Sequence, residues 1–225
     1  MSTIVMPVAG VRAPKAAKPL PKALSVDQAV ALAAFEATPP ARPHGAALAA
    51  RDQCLTELLY GCGLRVAELV SLDVQPGANA VGWIDIPDAT AHVLGKGRKR
   101  RSVPVGAAAL QALQAWLALR GQLAAADEPA LLVGQRGARL TTNQARLSLK
   151  QRAQQAGLPT HVHPHMLRHS FATHVLQSSG DLRAVQELLG HSNISATQVY
   201  TKLDFGHLSK VYDAAHPRAK KQGPA

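Results

Sequence analysis

Two arginines, one lysine, two histidines and one tyrosine stand in short polar contexts where packing has little use for them. Arg65 lies in "YGCGLRVAEL", Lys96 in "GKGRKRR", His165 and Arg168 in "HPHMLRHS", and His191 and Tyr200 in "GHSNISATQVYTK". Together they suit phosphoryl transfer without a metal. Two guanidinium forks can clamp the non-bridging oxygens of a phosphodiester and neutralise charge developing in the transition state. A tyrosine can be the nucleophile, provided a base or nearby cations help remove a proton whose solution pKa is about 10. A lysine can protonate the leaving oxygen, and a histidine titrating near neutrality can pass protons both ways.

Taken singly, each residue also has a plainer reading. Arg65 and Glu68 are three apart at a helix start and read equally as a solvated pair. His165 and Arg168 share that spacing, so they lie about 60° apart around a helix, while its apolar side runs through Leu167 and Phe171. Lys96 sits between glycines at a hairpin edge, where the backbone can approach a ligand closely. Arg98, Lys99, Arg100 and Arg101 continue it as a basic turn suited to DNA phosphates. A lone tyrosine such as Tyr200 is most often half-buried packing. His161, His163 and His165 invite comparison with a zinc site, but no cysteine or carboxylate cluster stands near them, and no metal is read.

The elements that must position these residues are mostly helices. "VDQAVALAAF" and "GAALAARDQCLTELLYG" carry the helical period, the second with Leu48, Leu55, Leu58 and Leu59 along a broad apolar stripe. The glycines of "GCGLR" break it, and "RVAELVSL" restarts a helix. Strand-like runs follow in "WIDI", "AHVLG" and "RRSVPV", with "GKGRK" as the turn between the last two, which predicts a small antiparallel sheet. Helices then return in "AAALQALQAWLALRGQL", "TTNQARLSLKQRAQQAG", "HPHMLRHSFATHVLQSSG", "DLRAVQELLG" and "SATQVYTKL". Pro164 suits a first helical position, Asp181 a cap and Gly190 a stop. The fold class expected is mainly α with a small antiparallel β-sheet.

Bulk composition narrows the partners. The 225 residues suffice for one main domain, and 25 Lys+Arg against 14 Asp+Glu give a formal charge of +11. That excess favours a polyanion, nucleic acid before acidic membrane. Two cysteines, Cys54 and Cys62, are too few for a disulfide framework and lack zinc spacing. No apolar run is long enough to span a bilayer, and no signal-peptide core opens the chain, so a cytoplasmic protein with no membrane partner is expected. The opening 1–24, rich in proline and cations, reads as an extended linker.

Five motifs stand in a familiar order: "GLRVAEL", "GKGRKRR", "HVHPHMLRHSFATH", "LLGHSNISATQVYT" and "VYDAAHPRAK". On them the chain resembles the tyrosine site-specific recombinases from about Val8 to Lys221, and the tail points to their chromosome-dimer-resolving branch. The resemblance implies a tyrosine recombinase catalytic-domain fold over 25–202. The tail 203–225, apolar at Leu203, Phe205, Leu208 and Val211, would dock on a neighbouring subunit or pack on its own domain. It implies that Arg65 and Arg168 are the catalytic arginines, Lys96 the acid for the leaving 5′ oxygen, and His165 the histidine of the H-x-x-R motif. By the same resemblance His191 would fill the position held by histidine or tryptophan, Tyr200 would be the nucleophile of a 3′-phosphotyrosyl link, and Glu68 would help orient the first arginine. No cofactor is implied. The partners implied are a double-stranded recombination site, a XerD-like recombinase in a tetramer on DNA, and an FtsK-like translocase. The family's full-length members also carry an N-terminal core-binding domain, and this chain reads as starting in the linker after it. The run "VQPGANAVGWIDIPDATAHVLG" is longer than the family's usual approach to the hairpin and bears on how Lys96 is presented. Two other readings of the residues stay open: a non-catalytic basic DNA-binding accessory module, and a phage or transposon integrase with the same chemistry.

Overall fold

The computed structural model describes residues 23–39, 41, 43–95, 99–158, 161–190 and 202–220. Lys96, Arg98, His191 and Tyr200 lie outside them, as does the helix expected in "SATQVYTKL" up to Thr201.

Helix α1 (Val26–Ala34) starts at a capping box between Ser25 and Gln28, and α2 (Gly45–Gly61) is the central spine. Leu55, Leu58, Leu59 and Tyr60 of α2 are fully buried. Around it pack α4 (Ala107–Arg120), α5 (Thr142–Gln155) and α6 (Pro164–Ser179). Trp116 of α4 is buried, and its indole N–H donates to the Leu131 carbonyl at 2.9 Å, so its one polar atom is satisfied. Thr141 with Gln144, and His163 followed by Pro164, start α5 and α6 by satisfying or removing free N–H donors. Short α3 (Val66–Val70) and α7 (Leu182–Leu189, capped by Asp181) flank the site described below.

The sheet differs from expectation. Its three anticipated strands are β2 (Gly82–Asp85), β3 (Thr90–Leu94) and β4 (Arg100–Pro104), paired antiparallel, but β1 (Leu72–Asp73) adds parallel to β2 and makes the sheet mixed. Two residues at a helix exit carry no period, so β1 left no signal. Gly82 admits it: a Cβ there would lie 2.6 Å from the His92 carbonyl oxygen and 3.2 Å from Leu72 Cδ2.

The tail folds back onto the body. In α8 (Lys202–Ala215), Leu208, Tyr212 and Ala215 are buried and the helix packs on α6 and β4, while Phe205 and Val211 are half-buried. Just beyond it, Arg218 pairs with the fully buried Glu57 of α2. No helix among the described residues is long and apolar enough to cross a membrane.

Candidate active site

The site begins where α2 ends. Gly63 has φ +58°, and a Cβ there would stand 2.5 Å from Phe171 Cδ1 of α6. Only glycine can hold this left-handed turn while crossing the Phe171 ring. The turn delivers Arg65 to the N-cap of α3 in extended conformation, and Glu68, at the third position of that helix, reaches back to it. Glu68 Oε2 accepts from the Arg65 backbone N–H and Oε1 from Arg65 Nη1, both at 2.8 Å. The carboxylate is buried at 4% exposure while the Arg65 side chain keeps 36%, so one end of the guanidinium is anchored and the rest faces outward. This pair is not the solvated helix pair that its spacing alone allows.

Arg168 comes from the other wall. Its Nη1 donates to the Gly63 carbonyl at 2.6 Å and its Nη2 to the Leu189 carbonyl at 2.5 Å. One side chain thus ties α6 to the turn before Arg65 and to the end of α7. It is 6% exposed, buried beside Leu167 and Phe171 rather than on an open face. Burial, then the charges of Arg65 and Arg101, pull its pKa down to about 9, with Glu68 opposing; it remains a cation at neutral pH. His165, one turn earlier, is exposed, so the two residues of the H-x-x-R pair present differently. Beside it the rings of His163 and His165 stack with centroids 6.4 Å apart. His163 Nδ1 caps α6 by accepting from Met166 N–H at 3.4 Å, and burial, then His165 and His161, lower its pKa.

The basic run of the hairpin divides. Lys99 and Arg100 are exposed, and Arg100 lies over the Trp83 ring at 5.5 Å. Arg101, expected as a DNA contact, is instead 7% exposed and turned inward. Its Nη1 and Nη2 donate to the two oxygens of Glu68 at 2.6 and 2.9 Å, and its Nε to the Leu188 carbonyl at 3.1 Å. Four cations in a row read as a solvated turn, but residues 101 and 103 of β4 alternate inward with 100 and 102 outward, and that period was the available signal. Burial pushes the Glu68 carboxyl up, but the hydrogen bonds and charge of Arg101, then those of Arg65, outweigh it and leave the pKa lowered. Two guanidiniums therefore hold one ionised carboxylate, with the charge of Arg168 near enough to feel both, a cluster with net positive charge that suits a phosphate. The hairpin turn itself is closed by Gly95 N–H donating to the Lys99 carbonyl at 2.8 Å.

Comparison with known proteins places the family and the fold. Residues 22–207 match the model of the phage integrase family. Tyrosine recombinase XerC of Ralstonia pickettii is 58% identical over 96% of this chain and 67% of its own length. Among solved structures, the XerA recombinase superposes with TM-score 0.63 at 30% identity, covering 88% of this chain and 67% of the other. The XerH site-specific recombinase, in a post-cleavage complex bound to its palindromic difH substrate, gives TM-score 0.60 at 26% identity, over 86% and 53% of the two chains.

Proposed function

The chain belongs to the phage integrase family and is a tyrosine recombinase, and from that premise we propose that it cleaves and rejoins DNA at a specific site through a 3′-phosphotyrosyl intermediate. The observation that supports the assignment of roles is the shared turn at Gly63: it presents Arg65 and accepts Arg168, bringing together two arginines distant in sequence. In this reading the two guanidiniums hold the non-bridging oxygens of the scissile phosphate, with Glu68 fixing the angle of Arg65. The Tyr200 hydroxyl gives its proton to His165 as its oxygen attacks phosphorus, a P–O(Tyr) bond forms as the P–O5′ bond breaks, and Lys96 gives its proton to the departing 5′ oxygen. His165 and His191 serve proton transfer and phosphate hydrogen bonding. Rejoining reverses the step with a 5′ hydroxyl from another strand, so the phosphodiester energy is conserved and no nucleotide is consumed. Lys99 and Arg100 contribute DNA backbone contacts, with Arg98 beside them in sequence.

The likeness to XerC supports a finer role: resolving chromosome dimers at division, in the cytoplasm, in a tetramer with a XerD-like partner under an FtsK-like translocase. The test is a nicked suicide duplex bearing the recombination site of a XerC relative. A denaturation-resistant adduct that disappears in Tyr200→Phe is expected. An adduct that persists in that variant refutes the role of Tyr200, and binding with no adduct returns the protein to a DNA-binding accessory.

A further inference from the structure

We propose that Arg101 is a positioning residue of the reaction: one buried guanidinium that fixes Arg65 and, at the same point, the origins of the two segments leading to Lys96 and to His191–Tyr200. The inference rests on the recombinase reading above and adds to it a side chain that touches no substrate.

The contacts of Arg101 are spent on structure that leads directly into the site. Its two terminal nitrogens hold both oxygens of Glu68, and Glu68 holds the backbone and guanidinium of Arg65. Its Nε holds the Leu188 carbonyl, next to the Leu189 carbonyl that receives Arg168. Two glycines then wall it in. A Cβ on Gly190, which has φ +64°, would lie 2.9 Å from Arg101 Cδ, and a Cβ on Gly95 would lie 3.4 Å from Arg101 Nη1. Gly95 immediately precedes Lys96, and Gly190 immediately precedes His191. The side chain is therefore wedged between the glycines from which both segments depart.

Charge gives the arrangement a second use. Glu68 paired with Arg65 alone would cancel the charge a phosphate needs. With Arg101 also on that carboxylate, the two guanidiniums leave one positive charge in excess, so Arg65 is oriented without being neutralised. A planar fork is required, because only a guanidinium can reach both carboxylate oxygens and a backbone carbonyl at once.

Three proteins are compared: the wild-type chain, Arg101→Lys and Arg101→Gln. For each, single-turnover cleavage of the nicked suicide duplex is measured at saturating protein, with DNA affinity across a salt series and the thermal melt. Arg101→Lys keeps a cation but cannot span the three acceptors. It is expected to bind DNA with unchanged affinity and salt slope and to cleave about 10²-fold more slowly, the scale of an ångström-sized misplacement. Arg101→Gln is expected to be slower still. Wild-type cleavage by a folded Arg101→Lys overturns the inference. So does a rate that falls only with the folded fraction, or a loss of affinity equal to the loss of rate, which would make Arg101 a DNA contact. Failure of the recombinase reading is distinguishable, since then the wild type would also form no adduct.

Discussion

Arg65 and Arg168 are held differently although both are proposed to meet the phosphate. Arg65 is held at one end by Glu68 and is open at the other, whereas Arg168 is buried with two donors on the Gly63 and Leu189 carbonyls. Replacing either by alanine is expected to slow cleavage by about 10²- to 10³-fold, the usual consequence of losing one preorganised donor to a developing oxyanion. Arg168→Ala should also lower the melting temperature, because it frees two buried carbonyls, while Arg65→Ala should barely move it. Single-turnover rates and melts on the two variants check both halves. The sequence carried the types and order of these residues, and in the structure Glu68 accepts from the Arg65 guanidinium. It did not carry the inward turn of Arg101, because a run of like charges hides the two-residue alternation of a strand.

At the scale of elements, the geometry depends on short connections more than on long helices. Gly63→Ala would place a Cβ against the Phe171 ring in a backbone region that costs a side chain about 1–3 kcal/mol before the clash is counted. It is expected to destabilise the fold and to reduce cleavage more than DNA binding, which a denaturant titration and a binding curve would separate. The long helices fall where their apolar period and caps placed them: α2 occupies the run from Gly45 to Gly61, and α6 starts at Pro164 and ends at Ser179, with Gly180 as its cap. What escaped was β1, too short for any period and dependent on a parallel pairing that only the return at Gly82 creates.

Over the whole molecule, the tail is part of the core. Arg218 meets a carboxylate with no solvent exposure, and removing one member of such a pair leaves a bare buried charge. Arg218→Ala is expected to cost about 3–5 kcal/mol, measured by chemical denaturation. His216 is buried among Tyr60, Phe171, Tyr212 and His174, and burial first, then His174 and Arg218, bring its pKa down to about 3. Its neutral form is the folded one, so the unfolded chain binds the extra proton. Stability should be full above the ordinary histidine pKa of about 6.5 and fall as pH drops from there toward 3. A His216→Gln variant should lose less stability across that window than the wild type, as denaturant midpoints at stepped pH would reveal. The sequence showed an apolar period at Leu208 but not its partner, since docking on its own domain or on a neighbour would call for the same apolar residues. The charge of +11, by contrast, was legible from composition, and the logarithm of DNA affinity should fall linearly with the logarithm of salt.

The most direct test of the central claim is to find the bond. The chain is incubated with the nicked duplex, denatured and digested with nuclease and protease, and the nucleotide-bearing peptide is sequenced by mass spectrometry. A 3′-phosphonucleotide on the hydroxyl of Tyr200 is the predicted result. The same modification on any other residue, or none on a chain that binds the duplex, would contradict it.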